Sequence, residues 1–318
     1  MLKNERILIT GGAGAIGSNL VHALYPHNSI IVLDNLSSGR KEWISDLPNV
    51  EVIVGDVCKD EDLQKCFSRP IDYIFHLAAN FANQNSVDHP QLDLQTNGMG
   101  TLKVLEHARV AKPKRFLYAS SSCVYGKLAA DGPDETIIGD LETPYAISKL
   151  VGEHYTTFYH EHYELPTTIV RIFNCYGPYE LPGKYRNVIP NFFEKATRHK
   201  PLPIYGTGNE TRTFTYVNDI VQGMELAATQ PNANGEIFNL GNSIDISIKE
   251  LAETINKLVG NNSGLDFLPH RKWDKVKHRL SNLKKIKELL GYSPITSLQE
   301  GLSLYFQWYL SISKTKSL

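Results

Sequence analysis

The sequence predicts an α/β protein built on a doubly wound parallel sheet, with a smaller, mostly helical lobe toward its C-terminus. Three observations predict it. Short apolar runs alternate with helix-period segments through the first half. A glycine-rich turn stands where the first run hands over to the first helical segment. After Asn174 the alternation gives way to turn formers and widely spaced helical patterns.

Residues 6–10, 29–34, 50–54, 73–77, 116–119 and 167–172 read as buried strands. Segments 15–25, 61–67, 93–110 and 145–163 carry the apolar spacing of helices. Repeated βα units demand right-handed crossovers and helices on both sheet faces. Helical patterns return at 188–199, 218–228, 247–259, 282–290 and 298–311. We expect residues 1–174 to form a cofactor-binding domain and 175–318 mainly a discontinuous substrate lobe. The run Phe238-Asn239-Leu240 reads as one more central strand, so the first domain is completed near 236–240.

The chain has 318 residues, 42% of them hydrophobic, enough for a large core. Its 33 Lys and Arg nearly cancel 34 Asp and Glu, which disfavours nucleic acid or an anionic membrane as partner. Cys58, Cys66, Cys123 and Cys175 show neither CxxC spacing nor a metal-site pattern, so reduced thiols and no metal are expected. The opening residues lack the apolar stretch of a signal peptide, and no segment is long enough to span a bilayer. A cytoplasmic enzyme is the expectation.

The turn Gly11-Gly12-Ala13-Gly14-Ala15-Ile16-Gly17 satisfies both GxGxxG and GxxGxxG. Such glycines allow a tight turn, close approach of backbone to a pyrophosphate, and close packing of helix on strand. The helix that follows offers free N–H groups to the anion. Asp34 ends the second strand, 17 residues after Gly17, where an acid bonds the adenosine ribose hydroxyls. A carboxylate there repels a 2′-phosphate, so NAD is favoured over NADP, although Arg40 and Lys41 are close by. Asp56, in Gly55-Asp56-Val57, stands where it reaches the adenine amino group. Leu77, Ala78 and Ala79 follow the fourth strand with side chains that let a ribose or nicotinamide lie close. Together these make one Rossmann-type dinucleotide groove.

Tyr145 and Lys149 stand four apart, about one helical turn, and so share a face. An ammonium beside a phenol lowers its pKa from about 10. Reaching neutrality takes roughly 4 kcal/mol, which one cation at ~4 Å supplies at an effective dielectric near 20. The pair is then a base able to remove a hydroxyl proton while hydride leaves the same carbon. Ser120-Ser121-Ser122-Cys123-Val124-Tyr125-Gly126 follows the fifth strand, at the carboxyl edge where ligands bind open α/β sheets.

With these motifs on one chain, the sequence resembles the extended short-chain dehydrogenase/reductase family, in particular its NAD-dependent nucleotide-sugar epimerases and dehydratases. The likeness covers nearly the whole chain and also rests on Asp-Asn-Leu-Ser-Ser-Gly (34–39), His-Leu-Ala-Ala (76–79) and Arg-Ile-Phe-Asn-Cys-Tyr-Gly-Pro (171–178). It implies Ser121, Tyr145 and Lys149 as the catalytic residues. Asn35, Val57 and Asn97 complete the implied cofactor set. It further implies that Asn174 and Asn187 contact the nucleotide diphosphate, that Arg212 and Arg271 hold it, that Asp274 bonds the nucleoside ribose, and that Tyr205 stacks on the base. Forked guanidinium groups suit such oxygens. A homodimer is implied through helices 93–110 and 145–163.

Family members share oxidation at C4 of the sugar and differ afterwards. In similar dehydratases Asp-Glu follows the catalytic Thr, and sugar-acid decarboxylases carry a Glu there. Here those positions are Ser122 and Cys123. A 4-epimerase needs no further acid or base, so inversion at C4 of a UDP-hexose of the glucose/galactose type is the leading reading. UDP-glucuronate or UDP-N-acetylhexosamine 4-epimerisation and 4,6-dehydration stay open. GDP-mannose 3,5-epimerases use a Cys at the position of Cys123 with a Lys further on, but that Lys position falls on Val188. A non-catalytic NAD-binding protein on this fold is the remaining alternative, disfavoured by the intact Ser121, Tyr145 and Lys149. His278 and Arg279 fall, to within one residue, near the sugar wall, and a basic wall suits a uronate.

Overall fold

In the computed structural model the chain is described over residues 2–271 and 276–315, without the side chains of 129–131 and 314–315. Seven parallel strands form the central sheet: β1 Arg6–Thr10, β2 Ser29–Asp34, β3 Val50–Val54, β4 Tyr73–His76, β5 Arg115–Ser121, β6 Thr167–Ile172 and β7 Ile237–Leu240. Their spatial order is β7-β6-β5-β4-β1-β2-β3. The order reverses at β1, so a crevice opens between the strand ends of β1 and β4, the usual ligand position in such sheets.

The strands form because β-branched and aromatic residues fill them. Ile7, Ile9, Ile30 and Val32 are fully buried, and Phe75, Leu117 and Val170 continue the same core across the sheet. Helices Ala15–Leu24 and Val217–Thr229 cover this face, contributing Leu20, Val21, Ile220 and Met224. The opposite face packs Val104, Leu105 and Ala108 of Thr101–Ala111, and Tyr159 of Pro144–Tyr163, on Leu8, Ile74 and Phe116. The expected doubly wound sheet is the observed one, and the 237–240 strand joins it beside β6.

The predicted helix 93–110 begins as Pro90–Asp93, passes through a π-helical stretch at Leu94–Gly100, and continues as Thr101–Ala111. Such stretches gather at functional sites because they rotate side chains out of α register. Later in the chain, small ladders that the sequence did not reveal pair Leu202–Tyr205 with Leu265–Leu268, and Thr211–Thr213 with Asp245–Ser247 and His278–Arg279. Among the described residues, no helix is long and apolar enough to cross a membrane.

One buried ion pair binds the sheet to the helix behind its edge. Arg171 of β6 and Glu153 of Pro144–Tyr163 meet at 2.7 Å, with side chains 1% and 3% exposed. Glu153 also accepts from Ser120 at the end of β5. Arg171 donates to the carbonyls of Glu135 (3.0 Å) and Ile137 (3.3 Å), holding the loop that follows β5. Glu153→Gln should leave this guanidinium without its counter-charge and cost about 3–5 kcal/mol, read as a lower urea midpoint. A midpoint equal to the wild type's would show that the pair is not a structural clamp.

Candidate active site

A cleft of about 870 Å³ runs along the carboxyl edge of the sheet. It is lined at one end by the glycine turn and Asp34, in the middle by Ser121, Tyr145 and Lys149, and at the other end by Tyr205, Arg212 and Arg271.

The glycine turn is built for close approach. Gly11 has a φ of +70°, and a Cβ on it would lie 2.7 Å from the Ala78 nitrogen. A Cβ on Gly17 would lie 2.2 Å from the Gly11 carbonyl, so side chains at either place would push the turn off β1 and β4. The helix Ala15–Leu24 starts at Gly14 with no side-chain cap, leaving its first N–H groups aimed at the cleft's anion end. Asp34 is 8% exposed and accepts from Ala13 N (2.9 Å) and Leu36 N (2.8 Å). Burial raises its carboxyl pKa while those two bonds oppose the rise. Each oxygen keeps a lone pair for a ribose hydroxyl. Asp34 therefore also pins the glycine turn to the second strand, a role its spacing alone did not announce. These features fit a dinucleotide.

Of the other cofactor residues expected from the sequence, Ala15, Ile16, Asn35, Val57, Leu77, Ala78 and Ala79 line the cleft. Asp56 lies one contact behind it, accepting from Asn35 Nδ2 (3.4 Å) and Cys58 N (2.9 Å). Asn97 is displaced from its expected role. It is fully buried, donates to Asp93 (3.0 Å) and Ser148 (3.0 Å), and accepts from Asn80 N (2.7 Å). The π-helical stretch turns this amide toward Pro144–Tyr163, where it holds the loop after β4 and the helix carrying Tyr145.

Thr143 caps that helix by accepting from Ala146 N, and Pro144 fits its first turn. One turn apart, Tyr145 and Lys149 are 7% and 3% exposed. The Lys149 ammonium donates to the Ala119 carbonyl (2.8 Å) and stands 5.9 Å from the Tyr145 ring centroid. Burial lowers the Lys149 pKa to about 8. The predicted lowering of the phenol by this ammonium is not found. Burial pushes the Tyr145 phenol above its ordinary range, Cys123 and Asp93 push the same way, and only the hydrogen bond with Ser121 opposes them. Desolvation outweighs a cation that is committed to a carbonyl.

At the far end Arg271 lies over the Tyr205 ring, 4.3 Å from its centroid. Arg212 donates to the Thr211 (2.8 Å) and Val276 (2.9 Å) carbonyls, which fixes its fork beside the cleft. Asn174 donates to the Thr213 carbonyl (2.9 Å), and Asn187 starts the helix Val188–Thr197, whose Val188 also lines the wall. Asp274 lies outside the described residues. Among the described residues no group of His, Cys, Asp and Glu is arranged to hold a metal ion.

Sequence reasoning missed Glu180, because a turn-rich segment gives no sign that its carboxylate is buried. Glu180 lines the cleft, is 3% exposed, and accepts from Asn187 Nδ2 (2.9 Å) and N (3.3 Å). Burial raises its pKa from 4.5 to about 7, against the opposing Arg186 charge and the Asn187 bonds. The raised value means that folding is favoured while the proton is bound. This contribution is complete below pH 4.5 and lost as pH rises through about 7. Glu180→Gln should abolish that loss. Between about pH 4.5 and pH 8 its unfolding free energy should gain about 3 kcal/mol on the wild type's in denaturant titrations. A difference that stays constant with pH would show that Glu180 does not titrate in this range.

Residues 7–241 match the model of the NAD dependent epimerase/dehydratase family. A UDP-N-acetyl-alpha-D-glucosaminuronate decarboxylase of Bacillus cytotoxicus is 33% identical over 97% of this chain and 98% of its own length. A UDP-glucose 4-epimerase of Mycolicibacterium smegmatis is 33% identical over 97% of this chain and all (100%) of its own. The solved structure of the epimerase Mth375 from Methanothermobacter thermautotrophicus superposes with a TM-score of 0.96 and 45% identity, covering 98% of this chain and 94% of that one. The relatives differ in the reaction their names state. The chain belongs to the NAD-dependent epimerase/dehydratase family.

Proposed function

We propose that the protein inverts C4 of a UDP-linked hexose through a transient 4-keto sugar. The observation that carries this reading is that, among the described residues lining the cleft, no carboxylate adjoins Ser121 and Tyr145. Ser122 and Cys123 follow Ser121, and the carboxylates among the described cleft residues are Asp34, Glu180 and Glu210. Asp34 stands at the glycine turn, Glu180 is held by Asn187, and Glu210 is held by Thr207 and Gly208. Loss of water across C5 and C6, or protonation of C5 after loss of carbon dioxide, calls for an acid or base besides Tyr145, and no cleft carboxylate among the described residues stands here to serve.

NAD bound along the glycine turn and Asp34 supplies the hydride acceptor. Tyr145 takes the proton of the 4-hydroxyl, and Ser121 holds that oxygen and the phenol together. Lys149 keeps positive charge behind the phenol. Because the phenol of the protein alone is raised, the proton leaves it only when further positive charge stands against the ring. Arg212 and Arg271 anchor the diphosphate, and Tyr205 stacks on the base. The keto sugar can then swing about its anchored end and be reduced on the other face. UDP-glucose 4-epimerases among the solved relatives, such as that of Thermotoga maritima with UDP-glucose at a TM-score of 0.92 and 33% identity, support this assignment.

The same reading includes a homodimer. Leu94, Met99, Ile147 and Phe158 are 44–54% exposed on the Leu94–Gly100 stretch and on Pro144–Tyr163, an apolar face suited to a second copy.

Incubation with UDP-hexoses followed by proton NMR should show inversion at C4 alone. Deoxygenation at C6 or release of carbon dioxide as the main outcome would overturn the assignment. Tyr145→Phe should reduce turnover by at least about 10³-fold while NAD stays bound, since proton transfer by a positioned side chain is worth roughly 10²–10⁴-fold. Retained activity would remove Tyr145 from the proton path. Asp34→Ala should weaken NAD by about 10–100-fold in calorimetry, the loss of charge-assisted bonds to a ribose. An unchanged affinity would place the ribose elsewhere.

A further inference from the structure

Arg279 lines the cleft as a cation that neither the proposed diphosphate grip nor the catalytic pair uses, and its side chain contacts the residue two beyond Ser121. Its strand His278–Arg279 runs parallel to Thr211–Thr213, with Arg279 directly opposite Arg212. The side chain reaches away from that end. Its Nη1 contacts the Cys123 sulfur at 3.5 Å, and the same sulfur lies 3.6 Å from Asn83 Nδ2. Cys123 in turn donates its backbone N–H to Ser121 Oγ at 3.2 Å. The guanidinium thus stands one residue from the hydroxyl that holds the reacting oxygen.

Its bonding is incomplete. Arg279 Nε is buried with no hydrogen-bond partner. Among the described residues no carboxylate pairs with this guanidinium, and a thiol is a weak acceptor. Leaving a guanidinium N–H buried and unmatched costs free energy, and a ligand in the cleft can complete the rest of the group's bonding. Arg171, a fully buried arginine, has its carboxylate and two carbonyls. Arg279 has none.

The position selects the ligand group. Arg212 and Arg271 mark the C1 end of the sugar, and Ser121 with Tyr145 marks O4. A group beyond Ser121 meets the substituents that flank C4: the hydroxyl on C3 and the C6 branch on C5. A hydroxyl is neutral. A carboxylate at C6 is the anion that a hexose can present there, and it matches the planar fork of a guanidinium. Resting on the C4 assignment above, the geometry points to a UDP-hexuronate as the substrate, with Arg279 as the residue that recognises its C6 carboxylate. Asn83 and Cys123 form the wall beside it.

The test compares UDP-glucuronate with UDP-glucose and UDP-N-acetylglucosamine on the NAD-loaded enzyme, following C4 inversion by proton NMR. UDP-glucuronate should have the highest kcat/KM, by on the order of 10²-fold, the value of a close charge pair in a cleft. Arg279→Gln should collapse the uronate-to-neutral ratio toward one. Arg279→Lys, which keeps the charge but loses the fork, should retain part of it. A neutral sugar turned over as well as the uronate, or a ratio unmoved by Arg279→Gln, would overturn the proposal. Carbon dioxide released from UDP-glucuronate would keep the carboxylate grip and remove C4 inversion, so the two readings fail separately. If none of the sugars turns over, calorimetry decides. UDP-glucuronate must then bind more tightly than UDP-glucose, and equal affinities reject the proposal.

Discussion

The site depends on a charge pair that never touches substrate. Arg171 and Glu153, both almost fully buried, lie where β6, the end of β5 and the helix Pro144–Tyr163 converge. Glu153 is one helical turn beyond Lys149, and its other partner, Ser120, directly precedes Ser121. The pair therefore fixes the spacing between the helix that carries Tyr145 and the strand end that carries Ser121. Through the Glu135 and Ile137 carbonyls it also shapes the loop after β5. Replacing such a pair by apolar residues is often neutral for stability, so its value here is geometric. A second polar cluster does the same work from the other side. Asp93, Asn97 and Ser148 lock the helix to the π-helical stretch and, through Asn80, to the loop after β4.

These clusters explain why the electrostatics differ from what sequence spacing suggests. Bringing Tyr145 and Lys149 onto one face requires burying both, and burial acts against the charged form of each. The phenol rises and the ammonium falls. The protein alone is thus held with a neutral phenol and a weakened ammonium, and in the mechanism we propose the ionised phenol belongs to the fully assembled site. A base that acquires its strength only on assembly avoids carrying an unpaired buried phenolate through folding.

Much of the fold was legible because the signals are local and repeated. Each central strand is an apolar run bounded by turns, and the glycine turn names its own conformation. Even β7, far along the chain, shows as Phe238-Asn239-Leu240. The clustering of Ser121, Tyr145 and Lys149, the trio we propose as catalytic, was legible for the same reason: Tyr145 and Lys149 share one helix, and Ser121 ends one strand. The rest lacks a local signature. The ladders involving Thr211–Thr213 and His278–Arg279 are two or three residues long and are fixed by pairing across dozens of residues. Asn97 is locally an unremarkable helical residue, and only the π-helical offset decides which way its amide points. Glu180 looks like a loop acid until the helix Leu298–Thr315 packs over it, with Tyr305 donating to its carbonyl. Arg279 was placed from sequence only to within one residue, and its partnership with Arg212 across the ladder is what sets the register.

A carboxylate grip and C4 inversion make opposing demands on one arginine. Inversion presents the other face of the sugar to the same Tyr145, so the C6 branch must leave its place while the diphosphate stays fixed. A guanidinium that held the carboxylate equally in every state would bind tightly and slow the swing. Cys123 offers a way around this. Its sulfur already accepts from Arg279 Nη1, so release of the carboxylate returns the guanidinium to a partner that is weak but present. The cost of letting go is then the difference between two hydrogen-bonded states, not the cost of a bare buried charge. A carboxylate in place of Cys123 would hold the guanidinium permanently and exclude the sugar's own anion, whereas an apolar residue would strand the guanidinium during each swing. A small, weakly accepting side chain beside the catalytic serine meets both demands.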